Sequence, residues 1–345
     1  MGKCKVVVDF GNGKTKISGY QKEDGKQIMF TGAIIEAVEG GLESPETYQN
    51  FSNFLLKMKA GPGDLYVVLP EDEVGVFCEV AEYPISSPKE LGGMIKNNLS
   101  ALVNDDVTKY YHDWRQIGSP VPGQGRFQTA AVKNEYMDMI QDIAEKYKLR
   151  LTYADIATNA VEHLAGLLQK SKHVSNSANE ATAIVEVGYK SARVVVFTKD
   201  RIIRSKSIKH DLFRMDKIIY STLGDLKNDK NIVPEFLKMN PSFAFKVSQY
   251  QSFLQLLTSE IIRQIKQAVA GEEKLKLSTI YFAGGMYKMP QLVSTIKDSF
   301  DVPCYAFPLE DFVEINHGCV QRENNRPYPS DEVFITSVGA LFGGM

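Results

Sequence analysis

Two stretches of the chain repeat one local pattern, and this duplication constrains the fold more than any other feature of the sequence. Each copy is an apolar strand that ends in an acidic residue, a turn with glycine, and a second strand that carries a basic residue. The copies cover Val6–Tyr20 and Ile184–Thr198. A constant shift along the chain aligns three pairs: Asp9 with Glu186, Gly11 with Gly188, and Lys16 with Arg193. Two such hairpins facing each other would form a clamp for phosphate groups.

Size and composition set broad limits on the class of protein. A chain of 345 residues, of which 43% are hydrophobic, is long enough for about two domains with their own cores. The charges nearly balance, with 40 Lys and Arg against 42 Asp and Glu, so no overall field attracts nucleic acid or an acidic membrane. No segment approaches the roughly 20 consecutive apolar residues of a spanning helix. We therefore expect no nucleic-acid partner and no direct membrane insertion.

The cysteines and histidines give no sign of a metal site of their own. The four cysteines are scattered without CxxC spacing: Cys4, Cys78, Cys304 and Cys319. This spacing disfavours a zinc site and a disulfide framework, and it predicts a reducing, cytoplasmic location. The five histidines are isolated and form no recognised catalytic or metal-binding pattern.

The order of predicted elements indicates an α/β fold, because strands alternate with helices along most of the chain. A compact β-α-β-β-α unit over about residues 76–151 has the size of a small inserted subdomain. The polar stretch 171–180 is the best candidate for a linker between the halves. We therefore predict a first domain over residues 1–170, which includes the insertion, and a second domain over residues 181–345.

The first hairpin turn, Gly11-Asn12-Gly13-Lys14-Thr15, differs from a P-loop because that motif needs a glycine where this chain has Val8. We interpret it as a β-turn whose glycines let backbone N–H groups approach a phosphate closely. Lys16 would add positive charge, and Asp9 would hold, through water, a magnesium ion that bridges the phosphates.

A third glycine element follows a predicted strand in the second half. Gly284-Gly285 stands between this strand and a predicted helix that has Pro290 near its start. A turn of this kind would place backbone against the adenine or ribose of a nucleotide, although such turns are also common in proteins without nucleotides.

The order of hairpin, connecting helix, second hairpin and Gly-Gly turn resembles the superfamily of actin, Hsp70 and sugar kinases over nearly the whole chain. The inserted unit after Leu69-Pro70 is placed as in FtsA and in the type IV pilus assembly protein PilM. Four strings look most like PilM: Glu79–Tyr83, Pro88–Leu102, Phe127–Val132 followed by Asn134–Tyr147, and Leu151–Ala157. The resemblance implies an actin-like (ribonuclease H-like) duplicated fold, with two domains around a nucleotide cleft and the inserted subdomain in the first half.

The resemblance also implies ATP and Mg²⁺ in the cleft. The nucleotide-binding residues it implies are Asp9, Gly11, Asn12, Gly13, Lys16, Gly188, Gly284 and Gly285. Asp9 would bind the metal through the nucleotide and water. Glu186 is the candidate catalytic carboxylate, but it stands where the superfamily has aspartate, and one extra methylene displaces a water-positioning carboxylate by about an ångström. We therefore expect nucleotide binding with weak or absent ATP hydrolysis.

A PilM-like protein is expected to act as a cytoplasmic scaffold of a type IV pilus or related secretion machine. It would bind a short cytoplasmic peptide of a PilN-like membrane protein beside the inserted subdomain, and this partner would hold it at the inner face of the membrane. The alternative is a polymerising actin-like filament protein of cell division or plasmid segregation, which would associate with itself. A small-molecule kinase is a third class, but the sequence offers no convincing catalytic base.

Overall fold

The computed structural model describes residues 4–11, 13–23, 25–36, 38, 40–71, 74–118, 122–210, 248–315, 320–322 and 331–344. The strands of this part of the chain form three sheets. Its α-helices, in chain order, are α1 (Pro45–Lys57), α2 (Pro88–Val103), α3 (Asn134–Lys146), α4 (Ala157–Gln169), α5 (Ser248–Ala270), α6 (Leu292–Lys297) and α7 (Ile335–Gly343).

The first sheet contains the first copy of the repeated pattern, and it defines the first lobe. Its strands are β1 (Cys4–Phe10), β2 (Lys14–Glu23), β3 (Lys26–Glu36), β4 (Gly63–Leu69), β8 (Leu149–Ile156), β14 (Val313–Ile315) and β15 (Val320–Arg322). β1, β2 and β3 form an antiparallel meander, whereas β4 and β8 add parallel strands beside β1. β1 and β4 are apolar on both faces, as expected for central strands covered by helices.

The second sheet repeats this arrangement and defines the second lobe. Its strands are β9 (Glu180–Val187), β10 (Ser191–Phe197), β11 (Ile202–Lys209), β12 (Lys276–Ala283) and β13 (Cys304–Ala306). β9, β10 and β11 form the antiparallel meander, and β12 runs parallel to β9. Asp9 pairs with Lys16 across the first hairpin, and Glu186 pairs with Arg193 across the second. The duplication inferred from the sequence is therefore present in the strand register.

The third sheet belongs to the inserted subdomain and has the order β5-β7-β6. Its strands are β5 (Val76–Pro84), β6 (Tyr110–Gly118) and β7 (Gln124–Lys133). Leu91 and Ile95 of α2 pack with Phe127 on one face of this sheet. Ser87 caps α2 through a capping box with Glu90, which explains why the helix begins directly after β5. β8, the strand that follows the insertion, returns to the first sheet.

The last strands and the last helix of the described chain belong to the first lobe. β14 and β15 pair with β3, and α7 packs against α4 and β1. These elements lie within the predicted second domain, 181–345, but they complete the first sheet. The predicted linker, 171–180, ends where β9 begins, and the division of the chain into two domains stays a prediction.

α4 and α7 form the centre of a core that both lobes share. Ala160 and Leu164 of α4 and Val338 of α7 are fully buried, together with Val7 of the first sheet and Ile184 of the second. The two helices lie so close that a Cβ atom on Gly339 would come within 2.0 Å of the Ala160 carbonyl oxygen. Only glycine allows this close approach of the two helices. Because residues of both sheets pack in the same core, the helix pair holds the two sheets together.

The sequence also predicts helical segments within Asp211–Ala270, including an amphipathic helix over Tyr250–Val269, and a helix over Met289–Phe300. The amphipathic helix extends over Ser248–Ala270. The last helix is shorter than predicted, because the chain makes turns before Leu292 and after Lys297. The part of the prediction that falls on residues 211–247 lies outside the described residues.

We predict that Gly339→Ala lowers the free energy of unfolding by about 1–3 kcal/mol, because the added methyl group overpacks the contact between α7 and α4. Gly166→Ala on α4 is the matched control, since no atom lies within 4 Å of the Cβ position there. The control should gain roughly 0.5–1 kcal/mol from the lower backbone entropy of alanine. Equilibrium urea unfolding followed by circular dichroism measures both effects. Equal stabilities of the two variants would contradict the close helix contact.

Candidate functional site

The first hairpin carries a buried ion pair. Asp9 lies near the end of β1, and its Oδ2 is 2.6 Å from Lys16 Nζ on β2. The same carboxylate oxygen accepts a hydrogen bond from the Thr336 hydroxyl of α7. The side chain of Asp9 is 4% exposed and that of Lys16 is 16% exposed, so the charges are largely removed from water. All the partners in this cluster belong to the first lobe.

The second hairpin carries the equivalent pair, but it is extended by a third residue from the other lobe. Arg193 Nη1 donates to Glu186 Oε2 at 2.8 Å. Arg193 Nε and Nη2 donate to Glu71 Oε2 at 3.3 and 3.2 Å. Glu71 follows β4 of the first lobe, and all three side chains are buried. One cation therefore lies between carboxylates that the two lobes supply.

Glu71 also caps the N-terminus of α4. Its Oε1 accepts a hydrogen bond from the backbone N–H of Thr158, in the first turn of that helix. The residue at the helix N-cap, Ile156, has no side chain that can do this. The Glu71 carboxylate therefore joins α4, the predicted connecting helix, to the second hairpin.

The charges of the two hairpins act on each other. Burial raises the pKa of Glu186, and the positive charges of Arg193 and Lys16 oppose this shift, while Asp9 adds to it. Asp9 and Lys16 belong to the first hairpin, so the two ion pairs lie within electrostatic range of each other. The buried cluster has three carboxylates and two cations, so it has one more acidic than basic group: Asp9, Glu71 and Glu186 against Lys16 and Arg193.

The turns of the two hairpins are in contact, and glycines make this close contact possible. A Cβ atom on Gly13 would come within 2.6 Å of the Tyr189 side chain, so the tip of the second hairpin packs on the tip of the first. Gly284 has φ of +91°, and a Cβ atom there would lie 2.5 Å from the Val187 carbonyl oxygen. The turn after β12 therefore lies against the second hairpin, and glycine is required at this position.

The structure brings together most of the predicted site residues. Asp9, Gly11, Gly13 and Lys16 form one side, Glu186 and Gly188 the other, and Gly284 lies against the second side. Gly285 follows Gly284, and a Cβ atom on it would meet open space. Asn12 lies outside the described residues. The roles assigned to these residues in binding ATP and magnesium stay predictions.

Three residues of the cluster were not found from the sequence: Glu71, Tyr189 and Thr336. Glu71 left a usable signal, because it is an acid shortly after a buried strand, and that strand runs parallel to β1. The ends of neighbouring parallel strands meet at one edge of the sheet, so Glu71 belongs near Asp9. Thr336 left no signal, because nothing in the local sequence indicates that α7 returns to β1.

The inserted subdomain is attached to the same helix. Arg115 of β6 donates from Nη2 to Asn159 Oδ1 of α4 at 2.8 Å and also binds the Glu162 carboxylate. Its Nε donates to Gln128 Oε1 of β7 at 2.8 Å. The first two turns of α4 therefore bind Arg115 of the insertion and Glu71, which lies between β4 and the insertion.

No group of three or more His, Cys, Asp and Glu side chains in the described ranges is placed to hold a metal ion. None of the helices in this part of the chain is both long and apolar enough to cross a membrane.

The fold is similar to that of a solved protein. A chain of the solved structure "PilM-PilN type IV pilus biogenesis complex" matches with a TM-score of 0.72 and 14% identity over 100% of this chain and 98% of that chain. The ethanolamine utilization protein EutJ from Carboxydothermus hydrogenoformans matches with a TM-score of 0.49 and 12% identity, over 99% of this chain and 91% of EutJ. No curated protein matches the sequence.

The predicted fold class is confirmed: the chain has an α/β, actin-like duplicated fold with an inserted β-α-β-β-α subdomain. A family model described as "Type IV pilus assembly protein PilM" matches residues 100–335, which is more than half of the chain and includes parts of both lobes. The predicted relationship is therefore confirmed as well, and the chain belongs to the type IV pilus assembly protein PilM family.

Proposed function

We propose that this protein is a scaffold of a type IV pilus or related assembly machine, and that it binds the cytoplasmic segment of a PilN-like membrane protein. The observation that carries the proposal is the match, over nearly the full length of both chains, to a chain of a PilM–PilN complex, at a TM-score of 0.72. The family match over residues 100–335 supports the same role. Through such a partner, the protein would lie at the inner face of the membrane.

The inserted sheet offers a surface for this partner on the face that α2 leaves uncovered. Cross-strand pairs place four side chains on this docking face: Val80, Glu82, Arg115 and Arg126; Gln128 lies on the same face but is buried. Val80 is 51% exposed, although it is apolar and lies in the middle of β5. Because α4 holds Arg115, the docking face keeps a fixed position beside that helix.

The charges around the docking face favour a segment that has an acidic residue as well as apolar ones. Arg126 Nη2 lies 2.8 Å from Glu82 Oε1 on the face itself. In the second lobe, burial lowers the pKa of Arg204 on β11; the charges of Arg263 and, less strongly, Arg126 add to this shift, while Glu260 opposes it. Two lobes thus bring arginines close together, and an acidic side chain between them would reduce their repulsion.

We predict that Val80→Asp weakens binding of the partner segment at least about tenfold, because an interface anchor is replaced by a charge that must be desolvated. The probe is a labelled synthetic peptide of the cytoplasmic N-terminal segment of the PilN-like protein, and fluorescence anisotropy gives its Kd. Val74→Asp is the matched control, since Val74 is 62% exposed but lies outside the docking face. Equal Kd values for the two variants would argue against this surface.

We further propose that ATP binds between the hairpins. The donor set fits a nucleotide: each hairpin has glycine, a buried cation and a buried carboxylate. Lys16 and Arg193 would hold the phosphates together with backbone N–H groups at Gly11 and Gly13, Gly188 would let the second turn approach closely, and Asp9 would hold magnesium through water. When bound, MgATP would stabilise the closed pair of lobes by mass action. In the structure both cations bind carboxylates and Tyr189 packs on Gly13, so these groups must rearrange to admit the ligand.

Glu186 is poorly placed to activate a water molecule. Its carboxylate is 5% exposed and accepts a hydrogen bond from Arg193 at 2.8 Å. A general base must reach the proton that it removes, and here the ion pair with Arg193 holds the carboxylate away from solvent, in addition to the extra methylene that Glu186 has relative to aspartate. We therefore propose that bound ATP turns over very slowly, and that the nucleotide has a structural role.

We predict that Lys16→Met weakens MgATP binding at least about tenfold, because a charge-assisted contact to phosphate is lost. Lys22→Met is the control, since Lys22 is an exposed lysine on the same strand. Isothermal titration calorimetry gives the Kd values, and phosphate release is followed in the same samples. Phosphate release faster than about 1 per minute per protein molecule would show turnover and contradict a purely structural role of the nucleotide.

A further inference from the structure

We propose that Glu71 is an internal anion that competes with the phosphates of the nucleotide for Arg193 and for the N-terminus of α4. The inference rests on the proposed nucleotide site and adds a means of regulating it. In this view the nucleotide-free cleft is closed by the carboxylate of the chain itself, and phosphate binding requires that carboxylate to leave.

The contacts of Glu71 are those that proteins use to bind phosphate. One oxygen takes a backbone N–H of the first turn of α4, and the other takes two N–H groups of the Arg193 guanidinium at 3.2 and 3.3 Å. Helix N-termini and arginine side chains are the common phosphate ligands of proteins. Glu71 therefore occupies donors that an incoming phosphate would use.

The N-terminus of α4 has a second polar group that Glu71 does not bind. The Thr158 hydroxyl is buried, and it has no hydrogen-bond partner among the residues that the structure describes. An unpaired buried hydroxyl is costly, and a phosphate oxygen at the helix start would supply the hydrogen bond that it lacks. It belongs to the same residue whose N–H binds Glu71.

The geometry selects Glu71, rather than Glu186, as the group that leaves. Arg193 lies between both carboxylates, and adding phosphate without releasing one of them would increase the excess of negative charge. Glu186 is the cross-strand neighbour of Arg193 and lies closer to it, at 2.8 Å. Glu71 makes longer contacts from a turn after β4, where the chain is not held by strand pairing.

The position of Glu71 gives its release a further effect. It lies between β4 and β5, where the chain leaves the first sheet and enters the inserted subdomain. Release of Glu71 would loosen this connection, whereas Arg115 would still hold the subdomain to α4. Nucleotide binding and partner binding at the docking face would therefore be linked, and each would change the affinity for the other by the same factor.

The test compares the parent protein with Glu71→Gln and Glu162→Gln by calorimetry, with magnesium and the nonhydrolysable analogue AMPPNP as the probe. Glutamine cannot compete as an anion, so Glu71→Gln should bind AMPPNP at least about fivefold more tightly than the parent. Glu162→Gln is the matched control, because Glu162 is an equally buried carboxylate on α4 that pairs with Arg115 instead of Arg193. Its affinity should equal that of the parent.

A second measurement does not depend on how well the variant folds. Hydrogen exchange of the peptide that contains Glu71 should become faster when AMPPNP is added to the parent, because the turn after β4 loses the hydrogen bonds of this side chain, whereas the Thr158 amide passes from Glu71 to phosphate. If the parent binds AMPPNP but Glu71→Gln binds no more tightly and this exchange is unchanged, the competition is disproved and the nucleotide site still stands. If none of the proteins binds AMPPNP, the proposed nucleotide site fails and the competition fails with it.

Discussion

The structure depends on one buried cation, Arg193, whose charge the two lobes neutralise together. A guanidinium removed from water needs opposite charge and filled hydrogen-bond positions, and removal of one partner from such a group is strongly destabilising. Glu186 supplies one carboxylate from the same hairpin, and Glu71 supplies the other from the first lobe. The end of β4, the start of α4 and the second hairpin must therefore meet at one point, and this requirement fixes how the lobes face each other.

The two hairpins share one sequence pattern, but their buried charges are paired in different ways. Lys16 and Asp9 form a pair that is completed by Thr336 of the same lobe. Arg193 instead binds Glu71 of the other lobe. Because of this asymmetry, a change at Arg193 breaks side-chain hydrogen bonds between the lobes, whereas the hydrogen bonds of the Asp9–Lys16 pair lie within the first lobe.

The sequence was informative where contacts are short in chain distance. Asp9 and Lys16 are seven residues apart, as are Glu186 and Arg193, so each hairpin could be predicted from local pattern, although the acid and the base were assigned to a ligand and not to each other. The contacts that complete the site are distant in the chain: Arg193 lies 122 residues from Glu71, and Thr336 lies 327 residues from Asp9. Local pattern marks Glu71 as an acid after a buried strand, but it does not identify Arg193 as its partner, and it gives no indication of Thr336. The family resemblance supplied the fold, but not these particular partners.

The return of β14, β15 and α7 to the first sheet has a consequence for how the chain folds during synthesis. β3 has no partner on its outer side, and α4 has no companion helix, until residues beyond 313 have left the ribosome. Domains usually fold from the N-terminus as they emerge, yet here the lobe made first is the one completed last. The nascent first lobe must therefore stay partly open, with apolar surface exposed, while the whole second lobe is translated. That interval is where this protein would most need a chaperone.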